Sequence, residues 1–265
     1  MAVMNQQKYV HQQYADDTKL SIRIKFHTTY SINKQGFASW LFEQYRFAEN
    51  DTILELGCGN GGQWEGRISD LPDGCKLTLS DFSDGMVEIV ETKFSSHHEK
   101  VSVQKVDIQD IPFTDASCDI LIANHMLHHV PDLNKALSEV KRVLKPSGRF
   151  YAATNGNGGL MEFLRHAVKI IDPETTAFSE TLTFNLQNGE KILRRYFSSV
   201  EKFDYTDALA ITKTQDLMDY IDTIIRFVSF PKDKYNNLYN YFENIRKRDG
   251  AINIPKEGGL FVCNS

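Results

Sequence analysis

The chain has 265 residues, a formal charge of −5 and four cysteines. This length suits one α/β domain with an elaboration beside it. The acidic balance and the lack of a dense Lys/Arg block argue against a nucleic-acid partner, and no apolar run approaches the ~20 residues of a membrane-spanning helix. Cys58, Cys75, Cys118 and Cys263 are scattered and form no C-x-x-C spacing. They read as reduced thiols of a cytoplasmic protein. The start, Met1 to Tyr14, is polar and lacks the apolar centre of a secretion signal.

In chain order, Phe37, Trp40, Leu41 and Tyr45 give one apolar helix face ahead of the first strand. Thr52 to Leu56 reads as a buried strand that ends in Gly57-Cys58-Gly59-Asn60-Gly61-Gly62. Glycines there can take positive φ and let a ligand touch the backbone. A helix is expected from Gln63 to Leu71. Cys75 to Ser80 is a second strand ending at Asp81, and Ser83 is the expected N-cap of the next helix. Val101 to Val106 is a third strand, ending at Asp107. Cys118 to Ala123 is a fourth, ending at Asn124. A helix from Leu133 to Leu144 stops at Lys145-Pro146-Ser147-Gly148, and Arg149 to Thr154 is a fifth strand. Strands alternating with helices imply a doubly wound, mostly parallel sheet.

Beyond Gly158 the pattern changes. Helices are expected at 158–171 and 190–197, with a sixth strand at 200–209. Leu217, Ile221, Ile224, Ile225 and Val228 mark an amphipathic helix, and Tyr235, Leu238, Tyr239, Phe242 and Ile245 mark another. A short strand from Gly259 to Asn264 closes the chain. The expected organisation is an N-terminal helical cap (1–50), a nucleotide-binding core (51–157), and a completion of the sheet (158–265). The last part carries a helical substrate-cover insertion at about 212–250. The aromatic residues there suit either a core or the lining of an apolar site.

Neighbouring parallel strands present their carboxyl ends to one crevice. Gly57, Asp81, Asp107 and Asn124 occupy four such ends. Asp81 lies where a carboxylate can accept hydrogen bonds from ribose hydroxyls. Asp107 can accept from an exocyclic amine such as adenine's, with Ile108 packed on the ring. Gly57, Gly59 and Gly62 also make G-x-G-x-x-G, so a nicotinamide oxidoreductase is an alternative.

These residues resemble the class I S-adenosylmethionine-dependent methyltransferases, specifically their small-molecule branch, over Thr52 to Thr154. The glycine motif corresponds to Glu55, Gly57, Cys58, Gly59 and Gly61, and the ribose acid to Asp81 with Phe82 and Met86 nearby. Asp107 and Ile108 correspond to the adenine segment. Asn124-His125-Met126-Leu127-His128-His129 corresponds to the fourth-strand element, with Asn124 and His125 at the cofactor. The resemblance implies a seven-stranded Rossmann-like sheet and S-adenosyl-L-methionine as cofactor. It also implies in-line methyl transfer to an O, N or C atom of a small-molecule acceptor, with no metal and no nucleic-acid or membrane partner. His128 or His129 is a candidate general base. On one helix His125 and His129 would share a face, but no third metal ligand accompanies them. Tyr14, Tyr30, Trp40 and Trp64 are candidate aromatic neighbours of the sulfonium, and Arg23, His27 and Tyr30 are candidates for the cofactor carboxylate. Besides the oxidoreductase, a non-catalytic protein that binds the cofactor is a further alternative.

Overall fold

The computed structural model describes residues 18–224 and 227–265. Two helices lead in, α1 (Thr18–Tyr30) and α2 (Phe37–Gln44). There follow β1 (Thr52–Leu56), β2 (Lys76–Asp81), α3 (Asp84–Phe94), β3 (Val101–Lys105) and β4 (Cys118–Asn124). Next come α4 (Leu133–Val143), β5 (Leu144–Asn155), α5 (Gly159–Ile171) and α6 (Gly189–Leu193). The chain ends with β6 (Ser199–Ile211), α7 (Thr214–Asp222), α8 (Tyr235–Asp249) and β7 (Ile252–Asn264).

One seven-stranded sheet runs in the order β3-β2-β1-β4-β5-β7-β6. The first five strands in sequence are parallel, and β7 is antiparallel to both its neighbours. The expected doubly wound sheet is therefore present. The chain leaves β1 toward β2 and β3, then returns to place β4 on β1's other side. That reversal opens a crevice at the carboxyl ends of β1 and β4.

Residues alternate between the two faces of β1. Leu54 and Leu56 join a core with α4 side chains such as Leu137 and Val140. Ile53 joins the opposite core with Leu41 of α2 and Val90 of α3. Glu55 has the same parity as Ile53, so a carboxylate is delivered into that second core, where it is 1% exposed. A third cluster joins Phe26 and Tyr30 of α1 to α5, α7 and α8.

Several expectations are corrected. No α-helix follows the glycine turn. Two short 3-10 turns, Gly62–Trp64 and Ile68–Asp70, stand there instead. Left-handed Gly61 and Gly66 bracket Trp64 and stop a helix from propagating. Ser83 occupies its N-cap position without a side-chain capping bond. The helix at 190–197 is reduced to α6. Helix α7 ends at Asp222, because Thr223 donates through both its amide and its hydroxyl to the Tyr220 carbonyl. Val228, expected on its apolar face, is 81% exposed, and Ile225 lies outside the described residues. Strand β7 starts at Ile252, earlier than Gly259, and pairs along its whole length with β6. Among the described residues no helix is long and apolar enough to cross a membrane.

Candidate active site

A cleft of about 270 Å³ opens at the carboxyl ends of β1 to β4. It is lined by Gly57, Cys58, Gly59 and Asn60 of the turn, Asp81 and Phe82 of β2's end, and Asp107 and Ile108 after β3. Asn124, His125 and His129 complete it after β4. Sequence reasoning missed Leu20 and Ile24 of α1, and also Gln109, Met126, Val130 and Pro131.

The turn is shaped by close approach. Gly57 has φ 69°, and a Cβ there would lie 2.8 Å from the Met126 Cβ. The Asp81 carboxylate anchors the loop, accepting from the Gly59 amide at 2.9 Å and from the Ser83 amide at 2.9 Å. The two bonds fall on different oxygens, and a carboxylate has about four lone-pair positions, so each oxygen retains acceptor capacity toward the cleft. Burial raises the Asp81 pKa, opposed by those amides. Burial also lifts the Cys58 thiol well above its ordinary range, so it stays protonated and is no thiolate nucleophile. Gly62 donates its amide to Asn60 Oδ1. With no α-helix behind it, Gly62 lacks the helix-packing role of the third dinucleotide glycine.

The adenine-side loop is held from outside. Asp107 accepts from the amide and side chain of Gln109, which closes the turn. Arg142 of α4 donates to the carbonyls of Phe113 at 2.7 Å and Ile111 at 2.8 Å. Glu139 receives both Arg142 and the Ile111 amide. Its carboxyl pKa is lowered, first of all by the Arg142 hydrogen bond. Arg142→Met is therefore expected to accelerate amide exchange across 107–113 by about tenfold, read by hydrogen-exchange mass spectrometry. Unchanged exchange there would contradict this clamp.

At the end of β4, Asn124 donates its amide to Glu55 Oε1 at 3.1 Å and to the Tyr45 hydroxyl at 2.9 Å. This orients its Oδ1, which is buried with no hydrogen-bond partner among the described residues. Glu55 Oε2 receives the Trp64 indole N–H. Burial, strengthened by Asp81 and opposed by these two donors, raises the Glu55 pKa to about 7. Glu55 thus supports the cleft from behind and does not line it. Gly61 does not line it either, because its Cα faces Phe94 of α3, and Met86 is fully buried.

The histidine segment is no α-helix but a 3-10 turn, Leu127–His129, so the shared face of His125 and His129 does not arise. His129 reaches the cleft; His128 does not, being buried with its ring centroid 4.1 Å from that of His129. His125 takes φ 54°, which swings its ring toward α2, where it lies 5.0 Å from Phe37. Its pKa is lowered to about 4 by burial and Lys256. That of His27 is lowered to about 3, by burial first and then Lys256. Keeping these rings neutral contributes stability that is present above their unfolded value near 6.5 and lost as pH falls toward 4 and 3. Thermal unfolding of His27→Asn should fall less than that of the parent between pH 6.5 and 4. Equal losses would contradict the assignment. Among the described residues no group of three or more His, Cys, Asp or Glu could hold a metal ion.

The proposed aromatic neighbours are elsewhere. Trp64 is core, Tyr30 donates to Asp216, and Trp40 packs on Phe37 and Tyr205. None of these three lines the cleft, and Tyr14 lies outside the described residues.

Residues 54–152 match the family model described as a methyltransferase domain. Sterol 4-C-methyltransferase strm-1 of Caenorhabditis elegans is 34% identical over 111 residues, which are 41% of this chain and 32% of that protein. The ubiquinone/menaquinone biosynthesis C-methyltransferase UbiE of Geotalea daltonii is 33% identical over 109 residues, 40% of this chain and 46% of that protein. The matches thus span less than half of these relatives. A solved structure of Haemonchus contortus phosphoethanolamine N-methyltransferase 2 with S-adenosyl-L-methionine superposes with a TM-score of 0.61. It covers 100% of this chain and 60% of that one at 16% identity, a likeness of fold alone. The family match falls on the strands and loops that build the cleft, so the residues that line it lie largely within a stretch similar to a methyltransferase domain.

Proposed function

We propose that this chain transfers a methyl group from S-adenosyl-L-methionine to an O, N or C atom of a small molecule. The observation that carries the reading is Asp81, a buried carboxylate that holds the Gly59 amide and keeps acceptor capacity facing the cleft. In this reading Asp81 takes the ribose hydroxyls, while Phe82 and Ile108 flank the adenine and Asp107 accepts from its amine. The orphaned Asn124 Oδ1 fits the donor that a methionine ammonium would bring. His129 stays a candidate base at the cleft, and His128 acts only through its contact with it. The cofactor supplies an activated methyl on a sulfonium, so the residues here chiefly align the reactants. Good alignment lowers a barrier by roughly 7–11 kcal/mol. Leu20 and Ile24 of α1 line the cleft and in this reading help to shield the bound cofactor from water. Residues 1–50 then serve as cap, 51–157 as cofactor core, and 158–265 as sheet completion with an acceptor cover.

The test is methyl-labelled cofactor incubated with a panel of hydroxylated, amino and enolisable small molecules. Label appearing in one acceptor, with stoichiometric S-adenosylhomocysteine, is the expected result. Cofactor binding without transfer to any of them would favour a non-catalytic binding protein.

A further inference from the structure

A buried polar cluster lies beside the cleft, and of its members only His125 also lines it. Helix α1 presents Leu20, Ile24 and His27 at i, i+4 and i+7, one face of the helix. Leu20 and Ile24 line the cleft, and the same face carries His27 to the region of His125, Lys256, Asp207 and Arg23, all of which influence its protonation. Lys256 of β7 also acts on His125, and its Nζ is 6.0 Å from the Tyr205 ring centroid. Phe37 connects the two sides, 5.0 Å from His125 and 5.1 Å from Tyr205. Trp40 lies 5.2 Å from Tyr205.

Three polar atoms gathered here are buried without a hydrogen-bond partner among the described residues: His27 Nδ1, His125 Nδ1 and the Tyr205 hydroxyl. Folded proteins satisfy nearly all such atoms, so three together beside an open cleft call for a ligand. The charged groups of the cluster, by contrast, are committed, and among them Arg23, which also acts on His27, donates through Nε to the Lys19 carbonyl at 3.3 Å. Lys256 donates to Asp207 Oδ2 at 2.6 Å and to Ser31 Oγ at 2.9 Å. Asp207 also accepts from the Ser31 hydroxyl at 2.6 Å and the Asn33 amide at 3.0 Å.

We propose that His27, His125 and Tyr205 clamp the methyl acceptor, and that this acceptor is an uncharged, hydroxyl-bearing ring compound. The proposal rests on the methyltransferase reading above. A cationic amine would need a carboxylate, and Asp207 is already ion-paired. A carboxylate or phosphate would need a cation, yet Lys256 and Arg23 already donate within the protein and both imidazoles are held neutral. A neutral imidazole offers one donor and one acceptor nitrogen, and a hydroxyl can serve either. Phe37, Trp40 and Tyr205 supply flat apolar walls suited to a ring.

The protein saturated with S-adenosylhomocysteine is titrated calorimetrically with 2-naphthol, 2-naphthylmethylammonium and 2-naphthoate. Saturable 2-naphthol binding is expected, at least about tenfold tighter than either charged analogue. Tyr205→Phe should weaken it by about tenfold and leave S-adenosylhomocysteine affinity unchanged, which also shows that it folds. His125→Asn, a residue that tolerates positive φ, should weaken it similarly. Preference for a charged analogue, unaffected binding in the variants, or no binding of any analogue would overturn the clamp alone. Failure of S-adenosylhomocysteine itself to bind would overturn the methyltransferase reading and the clamp with it.

Discussion

Asp81→Ala is expected to weaken S-adenosylhomocysteine binding by at least about a hundredfold. In the proposed site its oxygens receive two ribose hydroxyls. Hydrogen bonds to a charged group contribute roughly 1.5–3 kcal/mol each, and every 1.4 kcal/mol is about tenfold in affinity. The variant also frees the Gly59 amide, which Asp81 Oδ2 holds at 2.9 Å, so the glycine loop loses its anchor as well. Because burial raises the carboxyl's pKa, affinity of the parent protein should fall as acid protonates Asp81. Calorimetry across pH on parent and variant separates the two effects. A loss under threefold in Asp81→Ala would show that the ribose is held elsewhere.

Trp64→Ala is expected to destabilise the fold by about 4 kcal/mol. Trp64 is 0% exposed in the core beneath β1, and truncating a buried Phe or Trp typically costs about 3–5 kcal/mol. The variant also removes the indole donor from buried Glu55, leaving that oxygen unpaired. The damage should therefore depend on pH. Burial disfavours the charged form of Glu55 and raises its pKa from an ordinary 4.5 to about 7 in the fold. The native state binds the proton more tightly, so this group's contribution falls as pH rises from 4.5 through 7. Without the indole the penalty on the carboxylate grows, and the variant should lose more stability at pH 8 than at pH 5. Urea unfolding at both values measures this. A cost below 1 kcal/mol, or one equal at both pH values, would contradict the role given to the pair.

Much of the sheet is legible in the sequence because its strands are buried on both faces. Ile53, Leu54, Ile120, Leu121 and Ile122 form continuous apolar runs with abrupt polar ends, and β1 and β4 fall where those runs lie. The start of β7 is less legible, since Asn253, Pro255, Lys256 and Glu257 mask the alternation of buried Ile252 and Ile254. The helix expected after the glycine turn failed on Gly66, whose positive φ breaks a run that composition alone tolerates. Val228 had helical spacing but lies beyond the turn closed by Thr223.

The strand-end residues of the cleft share that legibility, because parallel topology gathers them without any detail of packing. What lay beyond it is long-range. Nothing local to Leu20 and Ile24 signals that α1 crosses the glycine loop. Glu55, by contrast, could have been removed from the cleft by parity, since it shares a face with Ile53. The pairing of Tyr205 with Phe37 and His125 depends on how α2 docks beside the β6–β7 hairpin, which no spacing encodes.

The central claim is that this cleft holds an adenosyl sulfonium cofactor, and calorimetry of the unmodified protein with S-adenosylhomocysteine and with NAD tests it most directly. Saturable binding of S-adenosylhomocysteine at one site and no heat from NAD are expected. Binding of NAD in the absence of any S-adenosylhomocysteine binding would contradict it and return Gly62 to the position of a dinucleotide glycine.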